Sequence, residues 1–99
     1  MHAPQASRPE GDEISTRVDG GIARLHRTIE QQIAVRLRSR RRLLGLTLDD
    51  VATRCGSTFQ TVHKYEAGKA RISACTLWKL SRALEVQIDY FFEGAERGL

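Results

Sequence analysis

From residue 22 onward, apolar positions recur at intervals of three and four. Ile22, Leu25, Ile29, Ile33 and Leu37 fall on one helix face. This spacing predicts a first helix that ends near Leu44, with Gly45 just past its end. Its start has two candidates: Asp19 as a cap before Gly21, or Thr28 with Gln31 as a capping box. Thr47 is placed to cap a second helix, with Asp49 and Asp50 in its first turn, where the helix dipole favours acids. Val51, Ala52 and Cys55 form its inward side. After a turn at Gly56-Ser57, Thr58 caps a third helix that points Val62 and Tyr65 inward and ends near Glu66. A loop over Gly68–Ile72 carries Lys69 and Arg71. Ser73 caps a fourth helix with Leu77, Leu80, Ala83 and Leu84 as its buried stripe, and a short fifth helix covers Asp89–Glu93. No segment has the alternation of a strand, so the fold class is all-α.

Residues 1–21 have no such pattern. They hold both prolines and three of the eight glycines, and are expected to be a disordered tail. The folded domain is placed at residues 22–94, with a flexible end at 95–99. A chain of 99 residues is one domain's worth.

Charge changes the picture more than length does. The net charge is +4, but between Arg36 and Arg82 eleven Lys and Arg face three Asp and Glu. A basic excess inside the folded part attracts polyanions by counterion release. An anionic membrane is the weaker partner, because no helix pairs a broad apolar face with a Lys/Arg face. Nothing reaches the 18 apolar residues of a membrane span, and no signal pattern opens the chain. The expected location is therefore the cytoplasm. Cys55 and Cys75 belong to no CxxC or Cys/His cluster and are expected to be small core residues. No metal and no cofactor are expected. His2, His26 and His63 are scattered, and no carboxylate pair, Ser/His/Asp set or Gly-rich phosphate loop accompanies them, which argues against an enzyme.

Two short helices joined through Cys55-Gly56-Ser57-Thr58 make a helix-turn-helix arrangement. Ala52 is small enough for a close helix crossing, and Gly56 is free to take the positive φ of a tight turn. With Val62 and Tyr65 inward, the third helix shows Phe59, Gln60, His63 and Lys64 on one outward patch. A major groove admits a helix presented in this way. Gln pairs bidentately with adenine, Lys reaches guanine or a phosphate, and Phe touches a thymine methyl.

The segment VATRCGSTFQTVHKYEAGKARIS resembles the phage-repressor and Cro-like helix-turn-helix family, also called the xenobiotic-response-element (XRE) family. The resemblance spans Ile29–Gly94. It includes Gly45-Leu46-Thr47, the Ala52 to Gly56 spacing, Gln60-Thr61-Val62, Tyr65-Glu66-x-Gly68, and Ala83-Leu84 followed by Asp89-Tyr90-Phe91-Phe92. It implies a five-helix lambda-repressor-like domain with the third helix in the major groove. The base-reading positions then fall on Phe59, Gln60 and Lys64, with His63 beside them. An arginine–glutamate pair of the family falls on Arg41 and Glu66, orienting Arg41 toward a phosphate. Further backbone contacts fall on Thr47, Leu48, Thr58, Lys69 and Arg71. Three positions depart from the pattern: Ser57 replaces a small apolar residue, Phe59 stands where polar readers are common, and Glu85 replaces a frequent glycine, so a strained or differently capped exit from the fourth helix is expected.

Plainer readings apply to several of these residues. Phe59 is either a reader or a staple against its own domain, and His63 either a reader or merely solvated. The run Arg40-Arg41-Arg42 is mostly a solvated face with at least one phosphate contact. Asp49 and Asp50 are capping residues, with an acidic contact to RNA polymerase as the lesser idea. Trp78, Tyr90, Phe91 and Phe92 are expected to be mostly core. Three consecutive aromatics cannot all face inward, so one is expected to meet a partner subunit.

The function these features favour is a sequence-specific regulator of transcription, a repressor that binds a palindromic operator in double-stranded DNA as a homodimer. Its half-sites would lie about 34 Å apart. The rival is an interaction protein, either an antitoxin or a restriction–modification controller, that binds a small partner protein as well as its own promoter.

Overall fold

The computed structural model describes the side chains of residues 20–95, with backbone from Ala3. Four α-helices, α1 (Ala3–Leu43), α2 (Leu48–Cys55), α3 (Phe59–Glu66) and α4 (Ala74–Ala83), precede a 3₁₀ helix, η1 (Ile88–Phe92). No strand occurs among the described residues. The expected tail over residues 1–21 lies outside the described side chains, Gly20 and Gly21 excepted, as do Asp19 and residues 96–99. Ala95, placed in the flexible end, is buried.

Two local expectations are corrected. α1 runs through Thr28, whose hydroxyl donates to the Arg24 carbonyl at 2.9 Å, so Thr28 is a mid-helix residue and caps nothing. The fifth helix is 3₁₀ rather than α. Its segment is too short for several α-turns, and it closes instead on i→i+3 bonds such as Tyr90 N–H to Gln87 C=O at 3.0 Å.

The core gathers the predicted stripes. Leu37, Val51, Val62, Leu80, Leu84 and Phe91 are fully buried, with Ile33, Ala52, Cys55, Leu77 and Ala83 around them. The α1 stripe is buried only where other elements cover it. Ile29 packs against the core, Leu25 is half-buried, and Ile22 is exposed. Burial pushes the Cys55 thiol pKa up. Cys75 and Trp78, both expected inside, are exposed, because Leu77, Leu80 and Ser81 hold the inward side of α4. Of the three consecutive aromatics, Phe91 points in, Tyr90 is half-buried and Phe92 points out.

Each α-helix ends by folding back on itself. N–H groups of Leu46, Ser57, Lys69 and Val86 reach the carbonyls of Arg41, Ala52, Lys64 and Ser81. This closure needs a left-handed residue. Glycine supplies it after the first three helices, but after α4 the residue is Glu85 with φ 59°. The exit is therefore strained, as expected. Two arginines hold it. Arg40 Nε donates to Leu84 O at 2.9 Å, and Arg54 Nη1 donates to Ala83 O at 3.0 Å. Arg40 is thus a structural residue and not part of a solvated face. Glu85→Gly is expected to stabilise the domain by about 0.5–1 kcal/mol, since relief of left-handed strain outweighs the glycine's added unfolded-state entropy and the loss of an exposed ion pair. A thermal melt that rises by a few degrees checks this.

α1 also clamps η1. Arg36 Nε donates to Tyr90 O at 2.9 Å, its guanidinium lies 3.8 Å from the Tyr90 ring centre, and Tyr90 O–H donates back to Arg36 O at 3.1 Å. These bonds fix η1 against α1.

Candidate nucleic-acid interface

The interface starts with two capped helix N-termini. Thr47 Oγ1 accepts from Asp50 N–H at 3.0 Å, and Asp50 accepts from Thr47 N–H at 2.8 Å, a reciprocal capping box. The N–H groups of Leu48 and Asp49 find no partner among the described residues. This end of α2 therefore offers donors to an anion. Thr58 is different. Its Oγ1 accepts from Thr61 N–H at 3.2 Å and donates to Thr61 Oγ1 at 2.9 Å, which turns its only hydroxyl proton inward.

The Thr47 N–H bond, helped by the Thr47 hydroxyl, holds the Asp50 carboxyl below its ordinary value. A lowered carboxyl pKa stabilises the fold at pH above the unfolded value of 3.8, and that contribution is lost as pH falls through the folded value below it. The difference in urea midpoint between the native chain and Asp50→Ala is therefore expected to be constant near neutrality and to shrink below pH 3.8. Thr47→Ala, which removes the other half of the box, is expected to cost about 1 kcal/mol.

α3 crosses from this turn with Val62 buried and Tyr65 half-buried. Phe59, Gln60, His63 and Lys64 are all exposed on its other side, as the spacing predicts. Phe59 is not stapled into the core. Its ring lies nearly parallel to that of His63, with centroids 6.4 Å apart and planes 11° from parallel, so the two rings form a platform beside Gln60 and Lys64. Neither Gln60 nor Lys64 makes a side-chain hydrogen bond among the described residues.

Arg41 and Glu66 form the pair the resemblance implies. Arg41 Nε and Nη2 donate to the two Glu66 oxygens at 2.5 and 2.9 Å, and Nη1 donates to Leu46 O at 2.8 Å. The side chains are 13% and 6% exposed, so the pair is nearly sealed. The Glu66 bond raises the Arg41 pKa against the opposing cost of burial, keeping the guanidinium charged. Most of Arg41's donors are thus used inside the protein.

Sequence reasoning missed Arg38. It is exposed and lines a cleft of 210 Å³ with Arg41, Leu48, His63, Glu66 and Ala67. The cleft joins the end of α1, the N-terminus of α2 and the outward side of α3. Arg38 stands one turn before Arg41 with no carboxylate partner, a signal that a helical wheel of α1 would have shown. Lys69 and Arg71 sit on the loop after α3. Lys69 is exposed, and Arg71 is 83% exposed with Glu30 at 3.5 Å. Among the described residues no group of three His, Cys, Asp or Glu is arranged to hold a metal ion, and no helix is long and apolar enough to cross a membrane.

Residues 37–91, from the core of α1 to η1, match the helix-turn-helix family of that name. The chain belongs to this family. It is 44% identical over 70 residues to a Rhodospirillum rubrum protein named as an uncharacterised transcriptional regulator in the ATPase CF(0) region, covering 71% of this chain and 65% of that one. It is 37% identical to an uncharacterised helix-turn-helix-type transcriptional regulator of Sinorhizobium medicae, covering 68% of this chain and 48% of the relative. The chain thus spans about two thirds of one curated relative and about half of the other. Among solved structures it is similar to the restriction–modification controller protein C.AhdI of Aeromonas hydrophila, with a TM-score of 0.61, 27% identity, and coverage of 63% of this chain and 94% of that one. It is also similar to a transcriptional regulator of Vibrio cholerae, with a TM-score of 0.66, 29% identity, and coverage of 72% and 40%.

Proposed function

We propose that this helix-turn-helix chain is a sequence-specific DNA-binding regulator of transcription, acting as a repressor through α3 in the major groove. The observation that carries this reading is the exposed patch of Phe59, Gln60, His63 and Lys64 on a helix whose opposite side is locked into the core by Val62. Gln60 and Lys64 read base edges, and the Phe59–His63 platform lies against a thymine methyl. Thr47, the Leu48 N–H, Lys69 and Arg71 hold the phosphates and set the register, with Arg41 placed by Glu66 at the edge of the same surface. Thr58 contributes mainly by capping α3, since its hydroxyl proton is turned inward.

One such helix contacts only a few base pairs, so genomic specificity calls for a homodimer on a palindromic operator. The experiment uses a duplex selected from a random pool by the protein itself. Gln60→Ala is expected to relax base preference at one position per half-site, by about 1–3 kcal/mol of discrimination. Lys69→Ala is expected to weaken all sequences alike and to flatten the salt dependence by about one unit of slope. Unchanged base preference in Gln60→Ala would place the reading surface elsewhere.

A restriction–modification controller is the second reading, favoured by the coverage of nearly the whole of C.AhdI. A nuclease gene beside this one and binding to its shared promoter are the expected observations. A toxin gene in that place, with a co-purifying partner protein, favours the antitoxin form instead.

A further inference from the structure

The arginines of α1 divide into two sets. Arg36, Arg40 and Arg41 are bonded to η1, to the exit of α4 and to Glu66. Arg24, Arg27, Arg38 and Arg42 are exposed, and their side chains make no hydrogen bond or ion pair among the described residues. The second set is not scattered. At 100° per residue, positions 24, 27, 31, 35, 38 and 42 fall within a sector of about 80°, in a row about 27 Å long.

That row reads Arg24, Arg27, Gln31, Val35, Arg38, Arg42, with no acid on it. The one acid on this stretch of α1, Glu30, lies off the row beside Arg71 at 3.5 Å. Like charges three and four residues apart repel, so the row weakens an isolated helix, and an outside anion relieves that repulsion. Its C-terminal part runs into the interface, because Arg38 shares a cleft with His63 and Glu66 of α3 and Leu48 of α2.

We propose that this row is a second backbone track, which binds phosphates of the same DNA duplex beyond the base pairs read by α3. The inference rests on α3 being the reading helix and extends that site along α1. Guanidinium groups suit the task, since each presents a planar fork to two phosphate oxygens and remains charged at any working pH. The track carries no sequence information. It adds affinity, salt dependence and a longer footprint.

The test compares the native chain with Arg24→Gln/Arg27→Gln and Arg38→Gln/Arg42→Gln. Each binds a 30-base-pair duplex of mixed sequence across a salt series, and each is ranked on single-base variants of a duplex selected by the native chain. Each double variant is expected to lower the salt slope by roughly one to two units, near 0.9 per lost phosphate, with the ranking of base variants unchanged. The thermal midpoint is expected to stay within a few degrees or rise. Native salt slopes in both double variants overturn the track, and if Gln60→Ala still alters base preference, the reading of α3 stands without it. A changed ranking with an unchanged slope also overturns the track. If the native chain itself binds no duplex with salt dependence, the track and the reading of α3 fall together.

Discussion

Glu66→Ala is expected to destabilise the domain by about 3 kcal/mol and to lower its thermal midpoint by roughly 12–24 °C. The reason is what it leaves behind. Arg41 is 13% exposed and two of its three acceptors are the Glu66 oxygens, so the substitution leaves a largely buried guanidinium with only the Leu46 carbonyl. Removing one partner of a sealed pair costs far more than the pair contributes when intact. Arg41→Met/Glu66→Leu, which removes both charges, is therefore expected to be clearly less damaging than the sum of the single changes. A double-mutant cycle by urea denaturation measures the difference. If the single and double variants add, the pair is an ordinary surface bridge. The DNA surface responds as well, because Glu66 ends α3 and Arg41 joins that end to α1. Glu66→Ala is expected to weaken DNA binding at temperatures where the domain is still folded.

Phe91→Ala is the second large effect, with an expected loss of about 3–5 kcal/mol. Phe91 is fully buried on a 3₁₀ helix of five residues, so its ring is the main apolar anchor of the whole segment. The cavity would open beneath the Arg36–Tyr90 contacts and the Arg36–Glu93 pair at 2.5 Å. Phe92→Ala is the internal control. Phe92 is 40% exposed, and its truncation in the monomer is expected to stay within about 0.5 kcal/mol. Equal losses in the two variants, read from urea midpoints, would mean that η1 is not anchored through one ring.

Much of the local structure around the candidate interface is legible in the sequence. The caps Thr47, Thr58 and Ser73 and the turn glycine Gly56 act through bonds that span three to five residues, and local chemistry is what sequence displays best. The outward set on α3 followed from knowing that Val62 faces in. Less legible were residues whose role depends on a distant partner. Trp78 and Cys75 have core-like side chains but sit on the wrong side of α4. Arg40, Arg41 and Arg42 are consecutive and chemically identical, yet they meet the α4 exit, Glu66 and solvent respectively.

By itself, then, the sequence determined the all-α class, the helix-turn-helix and the outward position of Gln60 and Lys64 on α3, and it marked Glu85 as an unusual exit from α4. These follow from periodicity, capping and φ preference, all of which act within a few residues. Tertiary structure decided which arginines are structural and which are free. A guanidinium's role depends on which carbonyl or carboxylate lies within about 3 Å, and those partners are 25 to 54 residues away along the chain. Folding assigned Arg36, Arg40 and Arg41 to the fold, and it left Arg24, Arg27, Arg38 and Arg42 on one open face.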